Sequence, residues 1–415
     1  MYSISQQLKQ ALRHELETDI LPFWCGKMID ETHGGFLGRI DGNGQPHPEA
    51  PKGAILNARI LWAFSAAYRV TKNTKWLRTA DRALQYIRQH FIDHEYGGVF
   101  WSLNADGTPL DTKKQTYAIG FTIYGLSEYA RATGDTQALN DALDLFHDIE
   151  HHAFDKVNNG YIEALTQTWQ PIDDMRLSDK DENASRTMNT HLHIIEPYTN
   201  LLRCLNELSD GCTSLSNQSA YQHAEQEVRL ATINLLHIFT TKIINPITFH
   251  LDLFFNDYWE GRRNVQSFGH DIEAAWLLHE TALVIGDLDI LAQIEPLVKK
   301  IAEASEEGMQ PDGSLIYEHW TDTGLTDRQR QWWVMCENVI GHVDLYQYFG
   351  DHQALDTAWH CWQYIDSHLI DKEQGEWIWS TDDEGRANRH DDKAGFWKCP
   401  YHNSRMCLEI MEREF

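Results

Sequence analysis

The residues Y-G-G-V-F-W-S-L-N-A-D-G (96–107) form an alternating apolar run that ends in an Asp-Gly pair. This pattern is typical of a small β-hairpin, because Asp-Gly favours the tight turns that join antiparallel strands. Similar stretches are H-G-G-F-L-G-R-I-D-G-N-G (33–44), N-G-Y-I-E-A-L-T-Q-T-W (159–169), D-G-S-L-I-Y-E-H-W-T-D-T-G (312–324) and G-E-W-I-W-S-T-D-D-E-G (375–385). The sequence therefore predicts the same short β element at five places along the chain.

The spacing of these stretches indicates a structural repeat. Their glycines recur at intervals of 63, 63 and 62 residues in the pairs Gly34–Gly97, Gly97–Gly160 and Gly313–Gly375. The interval between Gly160 and Gly313 has room for one further unit, which we place near residues 254–263, and for an insertion. Residues 206–218 are Ser-rich and are predicted to be that insertion, in the form of a loop. The chain would then contain six units, one of them degenerate.

Each unit has room for two helices. After the first hairpin, residues 55–68 and 74–87 carry apolar side chains at helical spacing, and the joint between them is short, as antiparallel neighbours require. Similar joints, in which Gly ends one helix and Asp begins the next, lie at 131–136, 284–289 and 348–353. Six antiparallel pairs form either an open solenoid or a closed double ring, and the lack of polar capping repeats favours closure. We therefore predict an all-α fold, a single (α/α)6 barrel over residues 1–415, with hairpins and loops at one end.

The charge of the chain excludes several classes of partner. It carries 35 Lys and Arg residues against 62 Asp and Glu residues, a formal net charge of -27. Such a field repels phosphate backbones and anionic lipid surfaces, so we expect neither nucleic acid nor membrane as a partner, but a neutral small molecule. The 7 scattered cysteines without a C-x-x-C pair, and an amino terminus without an apolar signal segment, predict a cytoplasmic protein.

Reactive side chains are concentrated near the starts of the six helices that follow the hairpins, which would form the inner ring. They are Arg59, Tyr117, Asn189, His193, His270, Glu273, Trp333, Glu337, Trp397 and His402. Because six helix starts converge at one end of a barrel, we expect these side chains to surround one pocket. Arg59 is flanked by apolar residues and would be an unpaired buried cation unless a pocket or an acid receives it.

The histidine spacings bear on metal binding. His191 and His193 do not share a helix face, so we assign only His193 to the pocket. The pairs His193/Glu196 and His270/Glu273 have the order H-x-x-E, which is the reverse of the order in di-iron bundles, and H-E-x-x-H is absent. We therefore predict no metal. No G-x-G-x-x-G after a strand and no P-loop are present, so no nucleotide cofactor is expected either.

These residues lie within segments that resemble the N-acylglucosamine 2-epimerase superfamily nearly from end to end. The segments are K-G-A-I-L-N-A-R-I-L-W (52–62), Y-G-G-V-F-W (96–101), T-M-N-T-H-L-H-I-I-E (187–196), G-H-D-I-E-A-A-W-L (269–277), Q-W-W-V-M-C-E (331–337) and W-K-C-P-Y-H-N-S-R-M-C (397–407). The fourth and the last are the most specific, and the last is typical of members that act on disaccharides. Residues 206–218 are the part expected to be peculiar to this chain.

The resemblance implies an activity and a role for each site residue. The activity is inversion of C2 in the reducing-end glucose of a β-1,4-linked disaccharide, which converts cellobiose to glucosyl-mannose and lactose to epilactose. His270 and His402 would be the acid and base at C2, and Arg59 and His193 would assist the carbonyl and ring opening. The sugar would be bound by Tyr117, Asn189, Glu273, Trp333, Glu337 and Trp397. Tyr124, two turns along the same helix, is the alternative to Tyr117.

The residue types suit this chemistry. Removal of the C2 hydrogen beside an aldehyde needs a base and an acid that change protonation near neutral pH, which is the property of histidine. An arginine would stabilise the enediolate oxygen, and no cofactor is demanded. We expect a monomer or a weak homodimer. The alternatives are an aldose–ketose isomerase, a mannobiose or monosaccharide 2-epimerase, an inverting glycoside hydrolase that uses Glu273 and Glu337, and a sugar-binding protein without activity.

Overall fold

Helices make up most of the molecule. The computed structural model of the protein describes residues 3–210, 215–261 and 264–415, and within these ranges the chain forms thirteen α-helices. They are α1 Ile4–Glu15, α2 Leu21–Gly26, α3 Ala54–Thr71, α4 Thr74–Tyr86, α5 Thr116–Thr133, α6 Thr136–Asp148, α7 Met188–Asp210, α8 Leu215–Ile238, α9 Phe268–Ile285, α10 Leu288–Ser305, α11 Trp332–Phe349, α12 His352–Tyr364 and α13 His402–Glu412. No helix among the described residues is both long enough and apolar enough to span a bilayer.

The helices form two concentric rings. In the inner ring α3, α5, α7, α9, α11 and α13 each pack against the next, and α13 packs back against α3. The outer helices α4, α6, α8, α10 and α12 each pack against the inner helix that precedes them, and α1 packs against α13. The closed circuit of inner helices confirms the predicted (α/α)6 barrel.

Burial explains which helices are inside. In α3, every residue from Ala54 to Ala67 is buried, whereas α4 buries one face, which includes Trp76, Ala80, Ala83 and Leu84. A helix that is apolar all round can only be stable when other elements surround it, while an amphipathic helix can face solvent. The sequence pattern of each helix therefore determines its ring.

Two-residue joints connect four of the inner helices, α3, α5, α9 and α11, to the outer helices that follow them. The first joint residue adopts a left-handed backbone at Lys72, Gly134, Gly286 and Gly350, with φ between 56° and 78°. The side chain of the second then accepts a backbone N–H of the next helix at Asn73, Asp135, Asp287 and Asp351. This combination of a helix stop and an N-cap confirms the predicted joints.

The β structure consists of short strands at the end of the barrel where the inner helices begin. The strands are β1 Lys52–Gly53, β2 Ser102–Leu103, β3 Pro109–Asp111, β4 Lys114–Gln115, β5 Phe154–Asp155, β6 Gly160–Tyr161, β7 Ala164–Leu165, β8 Arg186–Thr187, β9 Phe254–Phe255, β10 Val265–Ser267, β11 Glu318–Trp320, β12 Leu325–Asp327, β13 Arg330–Gln331 and β14 Ser380–Thr381. All of their pairings are antiparallel.

These strands link each unit to the next around the mouth of the barrel. The strand that precedes an inner helix pairs with a strand of the following unit in β1–β2, β4–β7, β8–β9, β10–β11 and β13–β14. A bridge between Ile40 and Ala394, which precedes α13, joins the last unit to the first. Backbone hydrogen bonds therefore close the circle independently of the helix packing.

A repeated turn sets the path of the chain from each outer helix to the mouth. In the first unit the Asp30 side chain accepts the N–H groups of Thr32 and His33, and Gly34 turns the chain with φ of 77°. Lys52, just before α3, places its ammonium 2.7 Å from Asp30 Oδ2. The same buried pair recurs as Lys114–Asp93, Arg186–Asp155 and Lys393–Asp371. Each pair ties a turn to the start of the next inner helix.

The fourth unit includes residues 254–261, close to where the sequence placed it, and β9 and a bridge between Phe255 and Gly261 lie there. The first turn of this unit comes earlier, at Asn245–Phe249, and is closed by a bridge between Ile244 and Leu251. Its left-handed residue is Phe249, with φ of 62°, so the glycine that identified the other turns is missing there. Likewise Asn159, and not Gly160, is the equivalent of Gly97.

The predicted loop at 206–218 is largely helical. Residues 206–210 end α7 and residues 215–218 begin α8, while residues 211–214 lie outside the described part of the chain. The Ser-rich composition suggested a loop, but Leu205 and Leu208 continue the apolar face of α7 into this segment. The inserted residues therefore lengthen one helix pair.

Candidate active site

The starts of the inner helices surround one cavity of about 730 Å³ at the mouth of the barrel. Nine of the ten predicted site residues line it: Arg59, Tyr117, Asn189, His193, His270, Glu273, Trp333, Trp397 and His402. The tenth, Glu337, lies behind the wall and contacts His402. Tyr124 does not line the cavity but stacks on Trp62, with ring centroids 5.1 Å apart, which favours Tyr117 as the site tyrosine.

Two of the cavity imidazoles contact the same indole. The ring centroid of Trp333 is 4.7 Å from that of His270 and 5.7 Å from that of His402. The two histidines come from α9 and α13, which are separated by α11 in the inner ring. Residues 132 positions apart in the sequence therefore reach the same small volume.

His402 is held by a carboxylate. Its Nδ1 lies 2.7 Å from Glu337 Oε1, and burial lowers the pKa of His402 well below its usual value. A neutral imidazole that donates Nδ1–H to an acceptor keeps Nε2 free to accept a proton. Burial raises the pKa of Glu337, but hydrogen bonds from Arg405 and from the Trp276 indole favour its ionised form.

His270 has a hydroxyl as its partner. Its Nδ1 lies 2.7 Å from Ser267 Oγ, in the residue just before α9. Burial, reinforced by the proximity of His193, lowers the pKa of His270 to about 3. His270 is therefore neutral near pH 7, and because a serine hydroxyl both donates and accepts, either ring nitrogen can carry its proton.

A break in helix α7 positions His193. Pro197 has no N–H to donate to the carbonyl of His193, and His193 departs from helical geometry with φ of -93° and ψ of 15°. The His193 Nδ1 lies 3.0 Å from Glu196 Oε2. Burial alone would raise the pKa of Glu196, but Arg405 and His193 lower it to about 2. Glu196 is thus an ionised partner for a buried neutral imidazole.

Arg59 lines the cavity without a carboxylate partner among the described residues. Its guanidinium donates to Tyr117 Oη at 2.9 Å and lies over the rings of Phe121 and Tyr401, at 4.0 and 4.5 Å from their centroids. Its Nε is buried without a hydrogen-bond partner in the described part of the chain. A buried cation held by aromatic faces is suited to receive a partly negative oxygen from a ligand.

Two of the predicted sugar-binding residues carry an unsatisfied oxygen atom. Glu273 Oε2 and Asn189 Oδ1 are buried and have no partner within the described ranges. Burial, followed by repulsion from Glu337, raises the pKa of Glu273 well above its usual value. Buried polar groups normally have partners, so these atoms are the ones expected to bind ligand hydroxyls.

Several residues of the site were not predicted from the sequence. Arg405 links Glu196, Glu273 and Glu337 behind the cavity, three residues after His402 in the same helix. The cavity is also lined by Glu163, Tyr317, Trp320, Trp332, Trp379 and the segment 175–182. The i, i+3 spacing from His402 was a signal for Arg405. Trp332 begins α11. The remaining residues come from strands and loops, whose approach to the mouth depends on the closed ring.

His191 has a structural role, as predicted from its helix face. Its Nδ1 lies 2.7 Å from the Thr187 carbonyl oxygen, and its Nε2 accepts the Tyr161 N–H at 3.0 Å. Both nitrogens are used in fixing the start of α7 against β6. His191 does not line the cavity.

The carboxyl groups do not have the geometry of an inverting glycosidase. Ligand atoms of Glu273, Glu337 and His402 lie within 4.8 Å of one another, whereas an inverting enzyme places its two carboxyl groups roughly 6.5–9.5 Å apart. Arg405 Nη2 contacts both carboxylates, at 2.6 and 2.7 Å. The guanidinium supplies the positive charge that a metal ion would bring to these two carboxylates.

Comparisons with known proteins agree with this architecture. A family model described as N-acylglucosamine 2-epimerase (GlcNAc 2-epimerase) matches residues 35–198 and 215–405. The cellobiose 2-epimerase of Bacteroides fragilis is 54% identical over 404 residues, which are 97% of this chain and 98% of that protein. The cellobiose 2-epimerase of Ruminococcus albus is 37% identical over 403 residues, which are 97% of this chain and 98% of its own.

A solved structure shows the same fold. The cellobiose 2-epimerase of Bacillus thermoamylovorans superposes with a TM-score of 0.90 and 37% sequence identity. The match covers 99% of this chain and 100% of that one. The similarity therefore extends over both helix rings and the strands at the mouth.

Proposed function

This chain belongs to the N-acylglucosamine 2-epimerase family, and we propose that it is a disaccharide 2-epimerase that inverts C2 of a reducing-end glucose. The observation that carries this proposal is the arrangement of three buried neutral imidazoles, His193, His270 and His402, around one cavity that also contains the Arg59 guanidinium. Imidazoles that are neutral at pH 7 can accept a carbon-bound proton and return it.

Inversion of C2 requires that a proton leave one face of this carbon and that a proton be returned to the other face. In the open-chain aldehyde, one of His270 and His402 takes the C2 proton on its free ring nitrogen, and the C2–H electron pair becomes the double bond of an enediolate. The imidazolium formed in this step then returns its proton to the opposite face of C2 after rotation about C2–C3, or passes the proton to the other histidine, which delivers it to that face. Glu337 beside His402 would stabilise the imidazolium that forms there, 2.7 Å away.

Charge that develops on the sugar oxygen needs a donor. Arg59 would hold the former carbonyl oxygen, because its buried guanidinium contacts a phenol and aromatic faces rather than an acid. His193, paired with the ionised Glu196, would move the proton between the ring oxygen and the C1 hydroxyl during ring opening. Removal of an oxyanion donor of this kind typically costs roughly 10²–10³ in kcat.

The remaining site residues would bind the sugar. Glu273 and Asn189 offer the unsatisfied oxygens, and Tyr117 lies beside Arg59. The indoles of Trp333 and Trp397 would pack against sugar faces. Glu337, which was expected to contact the sugar, would act on it through His402.

The size and walls of the cavity favour a disaccharide. A volume of about 730 Å³ lies within the range of roughly 300–1,000 Å³ typical of small-molecule sites. Beyond the catalytic groups, Trp379 and the segment 175–182 add wall for a second ring. We propose cellobiose as a substrate, with glucosyl-mannose as its product, and lactose as a second substrate, with epilactose as its product.

The wider properties of the protein form part of the same proposal. Residues 1–415 would work as a single catalytic domain, as a monomer or weak homodimer, with no hydride, phosphate or metal in the chemistry. Six cysteines in the described ranges have free thiols, although most are buried, which is consistent with a cytoplasmic location.

Incubation of the protein with cellobiose in deuterium oxide, followed by NMR, tests the function. We expect glucosyl-mannose with deuterium at C2 of its reducing unit, and cellobiose that slowly gains deuterium at the same carbon. Free glucose would replace the proposal with hydrolysis. Glucosyl-fructose as the main product would replace it with aldose–ketose isomerisation, in which C1 receives the proton.

A further inference from the structure

Arg405 occupies the centre of the barrel, directly beneath the cavity. It is fully buried on α13, and its guanidinium contacts carboxylates from three other inner helices. One nitrogen is bonded to Glu196 of α7, and the other lies 2.6 Å from Glu273 of α9 and 2.7 Å from Glu337 of α11. Arg405 does not line the cavity, so it is outside the reach of a bound sugar.

Each of these three carboxylates either contacts a cavity histidine or lines the cavity itself. Glu337 accepts a hydrogen bond from His402 Nδ1 at 2.7 Å. Glu196 accepts one from His193 Nδ1 at 3.0 Å. Glu273 lines the cavity itself and has one oxygen without a partner in the described part of the chain. The Arg405 guanidinium therefore contacts the two glutamates that hold His193 and His402, and also Glu273, which is expected to bind the sugar.

We propose that Arg405 is a positioning residue that keeps Glu196 and Glu337 ionised, so that His193 and His402 carry their protons on Nδ1 and present free Nε2 atoms to the substrate. The proposal rests on the proposed epimerase function for its catalytic meaning. Its structural content, the tautomer of two histidines, can be tested without any substrate.

The physical argument is the cost of grouped buried charges. Three buried carboxyl groups share this guanidinium, and the pKa of one of them, Glu273, is already well above its usual value. Without the guanidinium, burial and mutual repulsion would favour protonation of Glu196 or Glu337 as well. A protonated Glu337 would donate its O–H to His402 Nδ1, which would force the imidazole proton onto Nε2. His402 could then no longer accept the C2 proton, because its cavity-facing nitrogen would already carry one.

The test uses Arg405→Met and Arg405→Lys in the full-length protein labelled with ¹⁵N-histidine. The His193 and His402 signals are assigned by their loss in His193→Ala and His402→Ala. Arg413→Met is the matched control, because the Arg413 side chain is only 10% exposed, pairs with Asp344 at 2.7 Å, and lies over the same Trp276 ring as Arg405.

We expect the wild-type protein and Arg413→Met to show Nδ1-protonated His193 and His402, and Arg405→Met to move the His402 proton to Nε2. Arg405→Lys keeps the charge but cannot bridge three carboxylates, so kcat should fall about 10²-fold while KM changes little.

If Arg405→Met does not fold, the kcat of Arg405→Lys decides between the outcomes. Unchanged tautomers in a folded Arg405→Met protein, or full kcat in Arg405→Lys, would overturn the proposal. Failure of the wild-type protein to epimerise cellobiose would overturn the function but leave the tautomer result standing.

Discussion

The histidines in and near the cavity differ in whether the second ring nitrogen, Nε2, has a hydrogen-bond partner. His191 uses both nitrogens in backbone hydrogen bonds, whereas within the described ranges His193 and His402 each use only Nδ1, on a glutamate. A ring nitrogen that is already bonded cannot exchange a proton with a ligand. His270 differs again, because its partner is the Ser267 hydroxyl, which can donate or accept. Side-chain chemistry is thus determined by the neighbour of each imidazole as well as by its residue type.

The histidine assignment predicts that His270→Ala and His402→Ala each abolish exchange of the C2 hydrogen. Loss of a general acid or base costs roughly 10²–10⁴ in rate, and the cavity should keep its shape because each side chain stands at its wall. The measurement is deuterium incorporation at C2 of cellobiose, with circular dichroism to check folding. His223→Ala is the control, since that side chain is 77% exposed and does not line the cavity. This substitution should leave exchange at C2 unchanged. Retention of most activity by either cavity variant would contradict the assignment.

At the scale of elements, close helix packing requires small residues at particular positions. A Cβ added to Gly120 of α5 would lie 2.6 Å from the carbonyl oxygen of His193, at the break in α7. Pro197 leaves that carbonyl without its helical hydrogen bond, and Gly120 allows α5 to approach it. The position of a catalytic side chain thus depends on a glycine in the neighbouring helix.

Gly120→Ala should therefore lower both stability and activity. The new methyl group meets backbone rather than a flexible side chain, and overpacking of this kind typically costs about 1–3 kcal/mol in the free energy of unfolding. Displacement of His193 should also reduce kcat. Denaturant unfolding and steady-state kinetics measure the two effects. Gly26→Ala is the control, since nothing lies within 4 Å of its added Cβ, and stability there should rise slightly or stay constant. Equal effects at both positions would contradict the packing argument.

At the scale of the whole molecule, the two ends of the barrel are closed by different means. Strand pairs and buried Lys–Asp contacts circle the mouth, while ion pairs link the carboxyl ends of the inner helices at the other end. Arg69 of α3 contacts Glu128 of α5 at 2.6 Å, and Arg131 contacts both Glu128 and Glu207 of α7. The stability of this end is thus separable from the chemistry at the mouth.

Glu128→Gln should destabilise the barrel without changing kcat. Burial opposes the charge of Glu128, but Arg131 and Arg69 lower its pKa to about 2, so its contribution to stability is present above the unfolded value near 4.5 and is lost as pH falls through about 2. We expect a loss of about 3 kcal/mol at pH 7, as for other broken buried pairs, and a smaller difference from wild type in acid. Urea unfolding at both pH values measures this.

Glu412→Gln is the matched control for that experiment. Glu412 also pairs with Arg69, but its side chain is 37% exposed, and exposed pairs contribute only about 0–1 kcal/mol. A loss of stability as large as that of Glu128→Gln would show that burial does not control the strength of this network. A loss of kcat in Glu128→Gln would show that the two ends of the barrel are coupled.

The amino-acid sequence by itself determined the helix pairs, their joints, the choice of inner helices and the residues at their starts. These features depend on local patterns: apolar periodicity, Gly and Asp at the joints, and a repeat of 62 or 63 residues. The local signal was misleading at 206–210, where the predicted loop is helical, and at Gly160, where Asn159 holds the turn position. At Phe249 the turn has no glycine that could identify it in the sequence.

The tertiary structure alone decided which of these residues meet. Arg405 and Glu196 are 209 positions apart, His402 and Glu337 are 65 apart, and the wall segment 175–182 reaches the cavity from a loop. Such contacts exist only because the inner ring closes and brings α13 beside α3 and α11. The proton positions on His193 and His402 depend in turn on these contacts, since an imidazole in a buried site takes the tautomer that its partners impose.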